Sequence, residues 1–434
     1  MHGRLRYLAV AAGAATALLV VTGCGVGSGS DSGANTSQTV AANAPIKGSI
    51  TFQTWSLKNQ TFTPYFNSLI SAFEAKNPGT TINWIDQPGD GYQQKVASQV
   101  SSKTLPDVVN LPPNIAYPLV TSGNLLDLSK NVPTLGQDYV QSGLDAYRFP
   151  GASGEYGFPW YLGAELNFWN KAMFTKDGLN PNSVPKNLDD LFTQAKTMHD
   201  GSAGKDYLIS TIPGLNLIVQ AGGPLMNSDF TKFIFNNDKV AALLDKYTAA
   251  FKAGYMPPDV LTNTYEGNNA LFLKQEVGWT TGQGNEVTKV AETNPDLAPS
   301  IIPSPSFGPA NLNVQGISVS AKSANLPLAL AFAKFVTDND NQVAFIKLAP
   351  GFLPGTTAAA KDPAYAKSDG TNAGDSAVIG YQDMQHAVNY TPPVWSDQMN
   401  TDLNQQISLA ISGQKSSKQA LDDLVNQLNQ LLTN

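Results

Sequence analysis

The pattern of apolar and polar positions predicts strands that alternate with helices. Residues 48–55 alternate in the manner of a strand, and residues 62–77 carry an apolar stripe at helical spacing that ends at Asn77-Pro78-Gly79. Further strands are predicted at 80–85, 106–110, 166–169, 276–280 and 312–320, and further helices at 92–102, 188–199, 240–253, 326–337 and, with a break at Ser412-Gly413, 395–432. This alternation predicts an α/β fold with a parallel or mixed sheet, in which ligands bind at the carboxyl ends of strands.

The first 45 residues have the pattern of an export signal followed by a tether. Arg4 and Arg6 precede an apolar run over residues 7–21, which is shorter than the roughly 20 residues of a membrane-spanning helix. Val21-Thr22-Gly23-Cys24 resembles a bacterial lipobox, and Cys24 is the only cysteine, so an internal disulfide is excluded. We therefore predict a signal peptide at 1–23, a lipidated Cys24 at the cell membrane, and a flexible tether at 24–45 that is rich in small and polar residues.

Charge and composition limit the classes of ligand that the protein is expected to bind. Without residues 1–23 the chain has 25 basic and 34 acidic residues, a net charge of −9, which argues against nucleic acid and against an anionic lipid surface as partners. Arg148 is then the only arginine, which disfavours carboxylate, phosphate or sulfate ligands. All six tryptophans remain.

Several motifs in a fixed order carry a resemblance to a known family. They are the opening strand with the following helix and Asn77-Pro78-Gly79, Leu105-Pro106-Asp107-Val108-Val109, Tyr156-Gly157-Phe158-Pro159-Trp160 with Leu166-Asn167-Phe168-Trp169-Asn170-Lys171, Val184-Pro185-Lys186-Asn187-Leu188, Val277-Gly278-Trp279 and Phe352-Leu353-Pro354. Together they resemble the family 1 extracellular solute-binding proteins of carbohydrate ABC importers, the group that includes maltodextrin-binding protein. This chain has Lys186-Asn187-Leu188 where that family commonly has Lys-Thr-Trp.

The resemblance implies a two-lobed periplasmic-binding-protein type II fold with a hinged cleft between the lobes. It places lobe 1 at residues 46–165 plus 317–340 and lobe 2 at 166–316 plus 341–434, with crossings near 164–168, 311–317 and 338–345. It further implies a monomer without cofactor or metal that captures a carbohydrate and docks on the membrane permease subunits of an ABC importer.

A sugar needs hydrogen-bonding partners for its hydroxyls and a flat aromatic surface for its C–H face. Aromatic residues and neutral or acidic side chains at predicted strand ends and loops are the candidates. The aromatic candidates are Trp55, Trp160, Tyr161, Trp279, Phe352 and Trp395, and the polar candidates are Gln53, Asp107, Asn110, Glu165 and Gln315. Trp160 and Tyr161 are expected after a Gly157-Phe158-Pro159 turn, and Trp279 at the end of a strand. Trp84 and Trp169 are expected to pack in the core.

Other functions receive less support. His199 and His386 are isolated, which disfavours a metal site, and Asp338 in Asp338-Asn339-Asp340-Asn341 is expected to cap a helix. Two alternatives stay open: a binding protein for a peptide, polyamine or metal chelate, and a secreted glycoside hydrolase using Glu155 and Glu165 as its carboxylate pair.

Overall fold

The computed structural model describes residues 38–262 and 265–432. The predicted signal peptide, Cys24 and most of the tether lie outside the described residues. The strands are β1 (Gly48–Trp55), β2 (Thr80–Gln87), β3 (Val108–Leu111), β4 (Phe158–Ala164), β5 (Leu166–Asn170), β6 (Trp279–Gly282), β7 (Ile301–Ser304), β8 (Leu312–Val319) and β9 (Leu353–Pro354).

Helices surround these strands. The helices are α1 (Thr63–Lys76), α2 (Tyr92–Ser101), α3 (Pro113–Thr121), α4 (Leu135–Asp138), α5 (Gln141–Asp145), α6 (Lys171–Lys176), α7 (Leu188–Gly201), α8 (Leu215–Gly222), α9 (Asp238–Lys252), α10 (Asn268–Leu273), α11 (Glu286–Thr293), α12 (Leu326–Val336), α13 (Asn339–Ile346), α14 (Pro363–Ala366), α15 (Asn372–Met384), α16 (Asp397–Ile411) and α17 (Ser417–Leu431). Across the described residues, none of these helices is both long and apolar enough to span a membrane.

Two sheets organise the fold. The first is mixed, with strand order β2-β1-β3-β8-β4-β9, in which β1 pairs in parallel with β2 and β3 while β8 runs antiparallel to its neighbours. The second is a three-stranded antiparallel sheet in the order β6-β5-β7. The expected α/β fold with a mixed sheet is confirmed, whereas the second sheet is wholly antiparallel.

Both faces of the first sheet are covered, because successive side chains of a strand point to opposite faces. Phe52 of β1 and Val108 of β3 pack with α1 and α12, and Val109 packs on the other face with α2 and α3. In the second sheet, Phe168 faces α10 and α11, whereas Trp169 faces the large core formed with α6 to α9, α16 and α17. The predicted core position of Trp169 is confirmed, since its side chain is fully buried.

The chain passes between the sheets along three neighbouring segments. A single residue, Glu165, separates β4 from β5, and residues 305–311 connect β7 to β8. Residues 385–396 then lead from α15, which packs against strands of both sheets, to α16 in the core of the second sheet. The amide of Glu165 donates to the carbonyl of Asn311 (3.1 Å), and Val388 exchanges backbone hydrogen bonds with Ala310 and Leu312 (2.9 Å each).

The third predicted crossing, near 338–345, is wrong. Phe345 of α13 packs in the core of the first sheet, and β9 pairs with β4, so residues 341–354 lie with that sheet. The predicted limit between 316 and 317 also falls inside β8, which belongs wholly to the first sheet. The resemblance had given only approximate positions, and strand pairing decides them. The other lobe limits stay predictions.

Most predicted elements are present, with three differences in detail. Asp338 caps α13 as expected, its carboxylate accepting from the amide of Asn341 (2.9 Å). The expected turn before Trp160 is instead the start of β4, whose pairing with β8 is irregular between Pro159 and Tyr161. Trp279 begins β6 rather than ending a strand. Several helices, such as the short α8 and the 13-residue α15, were not predicted.

A buried carboxyl group lies beside a second carboxyl group after α6. Asp177 is 2% exposed, and its side chain interacts with that of Asp206, which in turn binds the ammonium group of Lys176. Burial, together with the neighbouring carboxylate of Asp206, raises the pKa of Asp177 from 3.8 to about 6. At neutral pH the fold therefore contains an ionised carboxylate that the unfolded chain would solvate better.

We expect Asp177→Asn to change how stability depends on pH. Because the pKa is higher in the folded state, protonation of Asp177 favours folding below about pH 4, and this contribution is lost as the pH rises through about 6. The variant should therefore gain in free energy of unfolding relative to the wild type between about pH 4 and pH 7, by on the order of 2 kcal/mol, in urea unfolding series.

Asp200→Asn is the matched control, because Lys196 lowers the pKa of this exposed carboxyl and its removal should bring no such gain. A difference between Asp177→Asn and the wild type that stays constant over this pH range would contradict the assignment.

Candidate ligand-binding site

One cavity, which we call cavity A, lies where β1 and β3 of the first sheet end, and its volume is about 400 Å³. It brings together four of the predicted site residues, namely Trp55, Tyr161, Gln315 and Phe352. The other lining residues are Pro112, Pro113, Asn114, Leu312, Asn313, Val314, Asn389 and Thr391. Aromatic rings and neutral amides thus share one concave surface, as small-molecule sites require.

Trp55 packs on Tyr92, which belongs to a buried polar network. Its ring stacks on Tyr92 with 5.3 Å between centroids and 12° between planes. The hydroxyl of Tyr92 donates to the carbonyl of Asn110 (2.9 Å) and accepts from Nε2 of Gln53 (3.2 Å). Gln53 also exchanges two side-chain hydrogen bonds with Gln99, at 3.2 and 2.8 Å. Gln53 therefore supports the cavity and does not line it.

The amide of Gln315 is oriented in a similar way. Asn110 is fully buried, and its Nδ2 donates to Oε1 of Gln315 (3.2 Å) and to the carbonyl of Gly316 (3.1 Å). Gln315 lies opposite Tyr161 on the neighbouring strand. Burial raises the pKa of the Tyr161 phenol well above its usual value, so the hydroxyl stays protonated and can both donate and accept.

A second cavity, cavity B, lies on the side of the second sheet and has a volume of about 310 Å³. Of the predicted residues it contains Glu165 and Trp279. The other lining residues are Asn167, Thr211, Ile212, Gly214, Asn216, Leu217, Gln220, Thr281, Ser306, Phe307 and Asn404. Glu165 is the single charged residue in this lining, and its Oε2 accepts from Nδ2 of Asn216 (3.1 Å).

Trp279 belongs to the core as much as to the cavity. It is 1% exposed, and its ring stacks on Trp169 with 5.9 Å between centroids and 19° between planes. Its Nε1 donates to Oδ1 of Asn167 (2.9 Å), and Phe307 packs 5.9 Å from it. Asn167 was not a candidate, and it fixes the indole at the wall of cavity B.

Three further candidates line neither cavity. Asp107 lies just before β3, at the amino end of this strand, whereas cavity A lies at the carboxyl ends of β1 and β3. Its carboxylate accepts hydrogen bonds from Thr51 and Ser323. Trp160 is fully buried among Phe66 and other rings of the first core. Trp395 is half-buried and packs edge-on against Phe233 at 5.8 Å.

Sequence reasoning missed several polar residues that the fold brings to the cavities. Asn389 and Thr391 lie just before Trp395, so the polar and aromatic run that pointed to Trp395 could have indicated them. Asn216 and Gln220 lie on α8, a short helix without a strong sequence pattern, and Asn404 lies on α16. Nothing in their local sequence distinguishes them from ordinary surface amides.

The two sheets, the three connecting segments and a cavity on either side define a binding protein of the periplasmic class. A family profile described as "Bacterial extracellular solute-binding protein" matches residues 68–373. The chain belongs to this family of bacterial extracellular solute-binding proteins. The predicted membership of an extracellular solute-binding family is thereby confirmed.

Comparison with known proteins agrees with this assignment. The diacetylchitobiose binding protein DasA of Streptomyces coelicolor is 26% identical over 319 residues, which are 70% of this chain and 73% of that protein. The sugar-binding protein MalE of Xanthomonas citri superposes with a TM-score of 0.73 at 16% identity, covering 89% of this chain and 98% of the other.

The cyclic alpha-maltosyl-1,6-maltose binding protein of Arthrobacter globiformis superposes with a TM-score of 0.72 at 20% identity, covering 89% and 99%. These structural similarities confirm the two-lobed periplasmic-binding-protein fold that the resemblance implied.

We expect Trp279→Ala and Trp55→Ala to differ sharply in stability. Trp279 fills a core and bonds to Asn167, so its truncation leaves a cavity and should lower the free energy of unfolding by about 3–5 kcal/mol. Trp55 is half-buried at the surface of cavity A, and its truncation should cost clearly less. Urea unfolding of both variants measures the difference. Equal losses would show that the two rings are not placed as described.

Proposed function

We propose that this protein captures a neutral sugar, mono- or oligosaccharide, between its two sheets and delivers it to the permease of an ABC importer. The observation that carries the proposal is the lining of cavities A and B. Both combine aromatic rings with side-chain amides and hydroxyls, and together they contain a single charged residue, Glu165. Such a surface can pair sugar hydroxyls and cover a C–H face without requiring a charged ligand.

The names of the relatives support the same ligand class. DasA is named for diacetylchitobiose, and the two structural neighbours are named for sugars. An N-acetylated disaccharide and maltose therefore belong in the first set of compounds to be measured. The extracytoplasmic location follows the family, whose members are extracellular solute-binding proteins.

The rival functions fit the cavities less well. A polyamine site would need several converging carboxylates, whereas these cavities hold one. In the alternative hydrolase, Glu155 would have to face the substrate, but its carboxylate is bound to the guanidinium of Arg148 (2.5 and 2.7 Å) and lines neither cavity. Among the residues that the structure describes, there is also no cluster of three or more His, Cys, Asp or Glu that could hold a metal ion.

Ligand capture would couple to closure of the two halves. The first sheet contributes to the wall of cavity A and the second sheet to the wall of cavity B, and both walls include residues of the connecting segments, namely Asn389 and Thr391 in cavity A and Glu165 in cavity B. A ligand that contacts both walls would favour the arrangement in which they face each other, because only that arrangement provides all of its contacts. The closed protein, acting as a monomer, would be the form that docks on the permease.

We expect Trp55→Ala to weaken sugar binding while the fold is retained. Loss of an aromatic surface in the site should cost about 1–3 kcal/mol of binding free energy, roughly five- to 150-fold in affinity. Isothermal titration with neutral mono- and oligosaccharides, including diacetylchitobiose and maltose, measures it.

Trp84→Ala is the matched control, since Trp84 is also half-buried but packs on Phe66, outside both cavities. Binding of a polyamine or peptide in place of every sugar would contradict the proposed function, and so would release of reducing ends from the oligosaccharides.

We further propose that Cys24 carries the lipid that keeps the protein at the cell membrane. Replacing the thiol removes the atom that would be acylated, so Cys24→Ser should shift the protein from the membrane fraction to the medium. Fractionation of cells producing either form, followed by mass determination of the mature N-terminus, measures this. Equal membrane retention of the variant would contradict the anchor.

A further inference from the structure

A third cavity, cavity C, adjoins both others and is built differently. Its volume is about 580 Å³, and it lies between the loop after α5, the segment after α8 and the connecting segments around residues 309 and 388–393. It shares Gln220 with cavity B, and Pro113, Asn389 and Thr391 with cavity A. These shared residues place cavity C next to both sugar cavities.

The walls of cavity C are mostly hydrocarbon. Phe149, Val219, Met226, Phe230 and Val388 line it together with five prolines. Its two charged residues are paired with each other, because Nη1 of Arg148 lies 2.6 Å from Oδ1 of Asp145, and the guanidinium also binds Glu155 outside the cavity. A sugar ring placed here would leave most of its hydroxyls without partners, which is costly, whereas an apolar group would not.

Phe230 is held at this wall in an unfavourable backbone conformation. Its φ of 57° lies in the left-handed region, which costs a bulky residue roughly 1–2 kcal/mol and favours Gly or Asn. Oδ1 of Asn227 enforces the turn by accepting from the amides of Thr231 (3.0 Å) and Lys232 (2.9 Å). A phenyl ring kept at such a position is explained if the ring itself is needed at the cavity wall.

The apolar side chain of Val388 is exposed to solvent, and a bound apolar group would cover it. Its side chain is 46% exposed, the largest value among the exposed large hydrophobic residues that the structure describes, and it projects from a connecting segment. Its backbone amide donates to the carbonyl of Ala310, and its backbone carbonyl accepts from the amide of Leu312. The side chain can therefore be changed without breaking the connection between the sheets.

We propose that cavity C binds an apolar aglycone, an aryl or alkyl group joined to the sugar held in cavities A and B. The proposal rests on the proposed function for the sugar part of the ligand. The preferred ligand class is then a glycoside with an apolar substituent, and the wall residues that cavity C shares with cavities A and B place the sites for its two parts side by side. Burial of an aryl group in cavity C adds affinity in proportion to the apolar area removed from water.

The test compares matched methyl and phenyl glycosides of glucose, galactose, xylose and N-acetylglucosamine by isothermal titration. For each sugar that binds, the phenyl glycoside should bind about ten-fold or more tightly than the methyl glycoside. Val388→Asn and Phe230→Asn should each reduce this phenyl advantage several-fold and leave the affinity for the methyl glycoside unchanged. Asn tolerates the left-handed conformation at residue 230, so the turn should persist, and circular dichroism checks the fold.

Ile234→Asn is the matched control, because Ile234 is an aliphatic residue of similar exposure (41%) on the same turn but lies outside cavity C. N-phenyl-1-naphthylamine, an uncharged dye that brightens in apolar sites, provides a readout that needs no sugar. Its emission should rise with the wild type and with Ile234→Asn, and fall with the two cavity variants.

The outcomes separate the two proposals. Methyl glycosides that bind without any phenyl advantage would overturn the aglycone site and leave the sugar function intact. If none of these glycosides and none of the oligosaccharides named above binds, the sugar function fails and the dye result tests the apolar site by itself. Emission that is the same for the wild type and both cavity variants would overturn the apolar site. Emission that falls in the Val388 and Phe230 variants would support the apolar site, but its ligand would then not be a glycoside.

Discussion

The structure depends on the hydrogen bonding of three connecting segments that lie side by side. Glu165 bonds to Asn311, and Val388 bonds to Ala310 and Leu312, so the segments form a narrow ribbon between the two sheets. Only Glu165 separates β4 from β5, so the end of β4 in the first sheet is close to the start of β5 in the second sheet. Cavities A, B and C all include residues of these segments in their walls.

The second organising feature is that the charged groups near the cavities have internal partners. The few charged groups near the cavities are mostly occupied: Arg148 by Asp145 and Glu155, and one oxygen of Glu165 by Asn216. The remaining polar groups are amides and hydroxyls held by buried partners such as Asn110 and Tyr92. A site prepared in this way offers directional hydrogen bonds at little cost in side-chain ordering when a neutral ligand arrives.

The sequence predicted the strands and helices well wherever apolar periodicity was strong, as in β1, α1 and α12. It failed where pairing overrides local signals. Pro159 suggested a turn, yet β4 accommodates it at an irregular position beside β8. Asp107 looked suited to a site because it adjoins a strand, but it lies at the amino end of that strand, and only the direction of β3 in the sheet decides which end faces the ligand.

By itself the sequence determined the α/β class, the neutral and aromatic character of the binding chemistry, and the order of the family motifs, because these follow from residue types and their periodicity along the chain. Tertiary structure alone decided which tryptophans reach a cavity and which fill a core, and it brought Asn216 and Gln220 of α8, Asn389 and Asn404 to the cavities from three distant segments. The physical reason is that burial and proximity are properties of strand pairing and side-chain packing between distant segments, and local pattern does not encode them.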